Sequence, residues 1–447
     1  MKRNIGLFLI ICLSMASGTA LADKSGHDDD ARNESHEHES GHDDHGRKES
    51  HEHEHGPGLN DDALDELQAA GVDKYLGTSR SFESDHGVWT EHDFDPANDG
   101  PICIAGTPYS VFTRQGDPKK LLIFLQGGGA CWQGFYNCNI LAEAQSPPEN
   151  GPFPGVFDST MPDNPFADYS VVYMPYCDGS TFGGDNDVDD PGFPFAPTRH
   201  HRGLRNLSAG MDVAAKMFPR AKKITVMGHS AGGVGAAAFA PFLTRFVFGN
   251  KTRLTVYNDA GPIAVNLGTP PGPGGPDIPW LSVFARQNDW QFQQFYPQSC
   301  IDDGRCNAFG QQTGIINWRL ENDSTIREGF YETDSDRTNR FFAQGDGSLM
   351  APQDYRKLIL TEHGALNEAY PKRYKRFIVS GDDTHGAVQV TAATPNFTVP
   401  QPFSFYTREA NGTPLTTWAA EFVRIGQRQS RFGWKDIVED YVPVPIP

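Results

Sequence analysis

Apolar residues along this chain gather in short runs of strand length. KKLLIFL (119–125), YSVVYM (169–174), KITVMG (223–228), RLTVYN (253–258), GIINWR (314–319) and YKRFIVS (374–380) are such runs. Several are nearly continuously apolar, as strands covered on both faces should be. Helical patterns lie between them, over 203–217, 231–247 and 352–366. Strands alternating with helices predict an α/β fold with a mostly parallel sheet and right-handed crossovers. Gly/Pro-rich stretches at 146–167, 178–198 and 261–280 interrupt the alternation. They read as surface insertions around the rim of a site, and no internal repeat is visible.

The N-terminus breaks the pattern twice. Lys2 and Arg3 precede an apolar run over 5–15, and Ala20-Leu21-Ala22 supplies small residues for cleavage, so residues 1–22 read as a secretory signal peptide. No later segment approaches the ~18 apolar residues of a membrane span. Residues 23–56 then hold eight of the 15 histidines and twelve acidic residues, with no large apolar side chain. Such a segment cannot bury a core and is expected to be disordered. Residues 57–447 remain for one large domain. The net charge of −19 argues against nucleic acid as a partner.

Six cysteines follow the signal, and an even count in an exported chain predicts three disulfides. The close pairs Cys131/Cys138 and Cys300/Cys306 would each close a small loop, leaving Cys103 with Cys177. No Cys-x-x-Cys spacing points to zinc.

The chemistry centres on Gly228-His229-Ser230-Ala231-Gly232. Glycines two before and two after a serine permit a sharp strand-to-helix turn that lifts the hydroxyl clear of the backbone. The flanks agree, with KITVMG before and a small-residue helical run after. An oxyanion hole would draw one N–H from Ala231. A second would come from Gly127 or Gly128, in the glycine run that follows the strand KKLLIF. In an α/β-hydrolase the acid and then the histidine follow the serine in the chain. Only His363 and His385 come after Ser230. His363 sits in a helical pattern, whereas His385 lies in the loop SGDDTHG at the carboxyl end of a strand, where open sheets place their sites. His385 is therefore the expected base. Two carboxylates compete as its partner. Asp323 follows GIINWRLEN and opens an expected helix, DSTIREGFY, a position an N-cap would also explain. Asp259 follows RLTVY directly.

Together FLQGGGACW (124–132), YMPYCDGSTFGG (173–184), GHSAGGVGA (228–236), NDAG (258–261) and FIVSGDDTH (377–385) resemble the pectinacetylesterase family across roughly residues 100–390. The resemblance implies an α/β-hydrolase domain over 57–447 with no cofactor, and removal of acyl groups from ester oxygens. Plant members deacetylate pectin, whereas an animal member cleaves a longer fatty acyl ester. The family's triad is the motif serine, an Asp opening the helix after a later strand, and a His after the last core strand. These map onto Ser230, Asp323 and His385. The family's Asp-Ser/Ala-Gly element falls on Asp259 and is not its acid, which turns the choice to Asp323. An acylated carbohydrate or similar ester is the expected substrate. The tail supports a rival reading: HEHES, HDDH and HEHEH could bind divalent metal weakly, so that an idle hydrolase fold would serve a periplasmic metal buffer. Hydrolysis that survives chelation separates the two.

Overall fold

The computed structural model describes residues 58–96, 100–142, 147, 149–150, 155–262, 288–306, 313–344, 348–388, 405–424 and 433–444. The expected signal peptide, the His-rich tail and positions 263–280 of the third insertion lie outside them.

Sixteen strands are described: β1 (Ser81–His86), β2 (Trp89–Phe94), β3 (Ser110–Arg114), β4 (Asp117–Leu125), β5 (Gly129–Trp132), β6 (Phe135–Cys138), β7 (Tyr169–Met174), β8 (Asn186–Asp189), β9 (Thr198–His201), β10 (Lys223–His229), β11 (Arg253–Asp259), β12 (Arg327–Thr333), β13 (Tyr374–Val379), β14 (Glu409–Ala410), β15 (Thr413–Pro414) and β16 (Ile437–Val438). Ten form one sheet in the order β1-β2-β3-β7-β4-β10-β11-β12-β13-β16. From β7 to β16 every pairing is parallel. β1, β2 and β3 add an antiparallel flank next to β7. This is the expected α/β-hydrolase architecture.

The near-continuous apolar runs are explained by two cores, one on each face of the sheet. Along β4, Leu121, Ile123 and Leu125 join one cluster, while Leu122 and Phe124 join the other. Successive side chains of a strand point to opposite faces, so a strand covered on both sides has no polar positions to spare. Helices cover the larger cluster. Leu204, Leu207, Met211 and Ala214 of the helix Gly203–Met217 are buried in it.

One run departs from its reading. GIINWR is part of a helix, Thr313–Asn322. Ile315, Ile316, Trp318, Arg319 and Leu320 are all buried there, so a helix apolar nearly all round shows no 3.6-residue period to distinguish it from a buried strand. Arg319 ties it down, its Nε donating to Glu328 at 2.7 Å. The strand of this region is β12, REGFYET, whose first five residues fall in the expected helix DSTIREGFY. That shift of one element relocates the expected acid.

The three disulfides join Cys103–Cys177, Cys131–Cys138 and Cys300–Cys306, the expected pairs. They suit an extracellular or secreted protein rather than one in a reducing cytoplasm. Among the described residues no single helix is long and apolar enough to cross a membrane.

Candidate active site

Five neighbouring parallel strands, β4, β10, β11, β12 and β13, end side by side. Their carboxyl ends deliver the glycine run, Ser230, Asp259, Asp336 and His385 to one edge of the sheet. β10 hands over directly from His229 to Ser230, whose φ of 55° and ψ of −122° lie outside the ordinary regions for a side-chain-bearing residue. Strain of this kind costs about 1–3 kcal/mol and concentrates at functional sites. The turn holds because Ser230 N–H donates to Asp259 O at 2.8 Å and Val234 N–H to Ser230 O at 3.0 Å. A Cβ at Gly228 would stand 1.9 Å from Gly232 O, and one at Gly232 would stand 2.0 Å from Leu125 O. The turn requires both glycines. Ser230 remains 8% exposed and lines a cavity.

His385 is buried, and its Nδ1 meets Asp336 Oδ2 at 2.7 Å. Its Nε2 is buried with no hydrogen-bond partner. Burial pushes the imidazole down to about 4, against the opposing charge of Asp259. A neutral imidazole with a carboxylate at Nδ1 carries its proton there and leaves Nε2 free to accept one.

Asp323 is not at this site. It is buried at the opposite end of β12, where Arg245 Nε donates to its Oδ2 at 2.8 Å. Its Oδ1 accepts from the N–H groups of Thr325 at 3.0 Å and Ile326 at 3.1 Å. The seven residues of β12 separate its two ends by about 20 Å. Asp336 lies past the far end and opens the helix Arg337–Gln344, its Oδ1 accepting from Asn339 N–H at 2.8 Å. Asp336, like the expected acid, opens a helix after a strand, but one element later in the chain than Asp323. The rival Asp259 is at the site but binds His229 Nδ1 at 2.6 Å. His363, the other candidate base, is buried against Tyr374 and Phe330.

Asp336 has a second carboxyl beside it that the sequence reading missed. Glu332 Oε2 accepts from Tyr355 Oη at 2.8 Å and from Asn339 Nδ2 at 2.9 Å. The same Asn339 nitrogen reaches Asp336 Oδ2 at 3.2 Å. Both carboxyls are fully buried, and burial drives both well above the usual carboxylate range. Two carboxyls buried side by side cannot both ionise readily, so the pair holds a proton more tightly than an exposed carboxylate would.

The cavity at Ser230 is mostly apolar, walled by Trp132, Val234, Trp290, Phe342 and Leu358, with Thr181, Asn339 and Tyr355 as polar points. Trp290 is fixed by its Nε1 donating to Cys131 O at 2.7 Å. Ala231 and Gly129 also line the cavity. A Cβ on Gly127 would stand 2.8 Å from Ser230 Cβ, whereas Gly128 packs against Asn139 and Tyr176. The glycine run thus passes directly beside the serine. Among the described residues no group of three or more His, Cys, Asp or Glu could hold a metal ion, and the His-rich tail is not among them.

Residues 94–264 match the pectinacetylesterase family. The resemblance carried by the motifs is thereby shown. The match takes in the glycine run, Ser230 and Asp259 and stops short of Asp336 and His385, so the place of those two at the same end of the sheet is read from the tertiary structure. Among solved structures, the Wnt deacylase Notum from Drosophila is similar over 80% of this chain and 98% of its own, with a TM-score of 0.52 and 17% identity. At that identity the likeness speaks for the fold. The pectinacetylesterase match supports hydrolysis of carboxylic esters in general.

Proposed function

We propose that this chain is an exported serine hydrolase of carboxylic esters, with residues 1–22 as its signal peptide. Ser230 is the nucleophile, His385 the general base, and Asp336 the residue that orients His385. The observation that carries the reading is the 2.7 Å contact of His385 Nδ1 with Asp336, beside the strained turn that presents Ser230. As Ser230 Oγ attacks the ester carbonyl, His385 Nε2 takes its proton, and the N–H groups of Ala231 and of Gly127 or Gly128 hold the oxyanion. Collapse expels the alcohol, which takes the proton back from His385. Water activated by the same imidazole then releases the carboxylic acid.

The apolar cavity suits the acyl half of the ester, leaving the alcohol half, a sugar or similar group, at the mouth. Cleavage of a longer acyl ester would parallel the deacylase activity in the Drosophila protein's name. Each buried methylene contributes about 0.8 kcal/mol, so kcat/KM on p-nitrophenyl esters should rise about fourfold per methylene beyond acetate until the cavity is full. A series that falls from acetate onward would sink this acyl assignment. The nucleophile has its own test. A fluorophosphonate should label the folded protein once, at Ser230, in the presence of chelator, as peptide mass mapping will show. Labelling elsewhere, or none, overturns the mechanism.

We place the proton of the buried carboxyl pair on Glu332, because Asp336 is the member that meets His385 Nδ1, and this has a consequence of its own. Glu332→Gln keeps the shape of a protonated carboxyl and should leave kcat within about threefold. Glu332→Ala leaves the buried Tyr355 hydroxyl without its partner, at about 1–3 kcal/mol, and should lower the urea midpoint. A Gln variant as damaged in kcat as an Asp336 variant would place the functional charge on Glu332 instead.

A further inference from the structure

We infer that His229 and Asp259 form a second buried imidazole–carboxylate pair that positions His385 and supports the charge it acquires in turnover. The inference rests on the triad reading above. Asp259 stands at the end of β11, wholly buried, and gathers donors from two directions. His229 Nδ1 reaches its Oδ2 at 2.6 Å. Ala387 N–H reaches its Oδ1 at 2.9 Å, and Val388 N–H its Oδ2 at 3.2 Å. Those two amides follow His385 by two and three residues, so the carboxylate clamps the turn that carries the base. The fit is close: a Cβ on Gly386 (φ +67°) would stand 2.3 Å from His229 Cε1 and 2.6 Å from Asp259 Oδ2. The rings of His229 and His385 lie 4.8 Å apart between centroids.

Burial holds His229 below the ordinary histidine value, so it serves as a neutral donor through Nδ1, and its Nε2 is buried without a partner. Among the described residues, the charged or titratable groups around His385 are Asp336 with Glu332 behind it from the end of β12, Asp259 from β11, His229 from β10, and, on its own loop, Asp383 and Asp382, the latter paired with Arg408. Tyr331 of β12 lies nearby and stays neutral through burial. Asp259 thus adds a fixed negative charge beside the imidazolium that forms when His385 takes the serine proton. Asp259 and His229 act through His385 and are positioning residues.

Asparagine at 229 places an amide N–H where Nδ1 was, whereas glutamine places its polar atoms where Nε2 was. Activity is normalised to sites titrated with fluorophosphonate, which counts folded, reactive Ser230 and discounts molecules that fail to fold. Asp259→Asn should lower kcat about 10- to 100-fold, the scale of one nearby charge in a partly buried site. KM should stay within about twofold, and the acid limb of kcat/KM should move to lower pH because the charge that raises His385 is gone. His229→Asn should keep kcat within about fivefold, and His229→Gln should lose at least ten times more. An unmoved acid limb in Asp259→Asn, or rescue by Gln rather than Asn, overturns the inference. Wild-type protein that fails to label at Ser230 would instead indict the triad itself.

Discussion

Replacing Ser230 by alanine should lower kcat on p-nitrophenyl esters by about 10⁶-fold, the scale seen when a serine nucleophile is removed from such a triad. The residual rate comes from binding and the oxyanion groups alone. The fold should survive, because the bonds that hold the turn, Ser230 N–H to Asp259 O and Val234 N–H to Ser230 O, are backbone bonds. Alanine also keeps the Cβ that the strained φ already tolerates. Circular dichroism and the urea midpoint should be unchanged while turnover vanishes. A variant that keeps more than a few per cent of the wild-type kcat would remove Ser230 from the chemistry.

Asp336→Asn and Asp323→Asn should behave in opposite ways. Asparagine at 336 keeps an oxygen for the Asn339 amide but can present an N–H to His385 Nδ1. That favours the tautomer whose Nε2 carries the proton and cannot accept one from Ser230. A loss of about 10⁴-fold in kcat is expected, as for other triads given the wrong tautomer, with only a small change in stability. Asp323 sits under Arg245, buried, and orders the start of β12. Removing its charge leaves the Arg245 guanidinium uncompensated and should cost about 3–5 kcal/mol of stability, while kcat per titrated site stays within about twofold. Urea melts and active-site titration of both variants separate the effects. If Asp323→Asn were the inactive one at full stability, the assignment would reverse.

The contrast between these two aspartates marks how far the sequence could be read. The Ser230 motif, the glycine run and His385 were legible because each rests on local chemistry. A turn that admits no Cβ declares itself through glycine spacing, and a histidine past an apolar strand declares its place at the sheet edge. The carboxylate that meets His385 carries no such local mark. Asp323 and Asp336 both cap short segments and both lie beside apolar runs. Choosing between them depended on whether GIINWR or REGFYET was the strand. Burial on all sides had erased the period from the first, and Glu328 and Glu332 disguised the second, a strand whose carboxyl positions are buried against Arg319 and against Tyr355 and Asn339.

Local pattern and composition alone determined an α/β chain with three disulfides, a serine turn, the glycine run beside it and a histidine at the sheet edge, since each follows from spacing, backbone sterics or redox compartment. Only the tertiary structure decided which carboxylate meets that histidine, that a second carboxyl and a second histidine stand behind it, and that the cavity is apolar. Those facts depend on strand order and on which end of β12 faces the site. Contacts between residues 49 or 128 positions apart, such as His385 with Asp336 or Ala387 with Asp259, leave no period or motif in the chain that makes them.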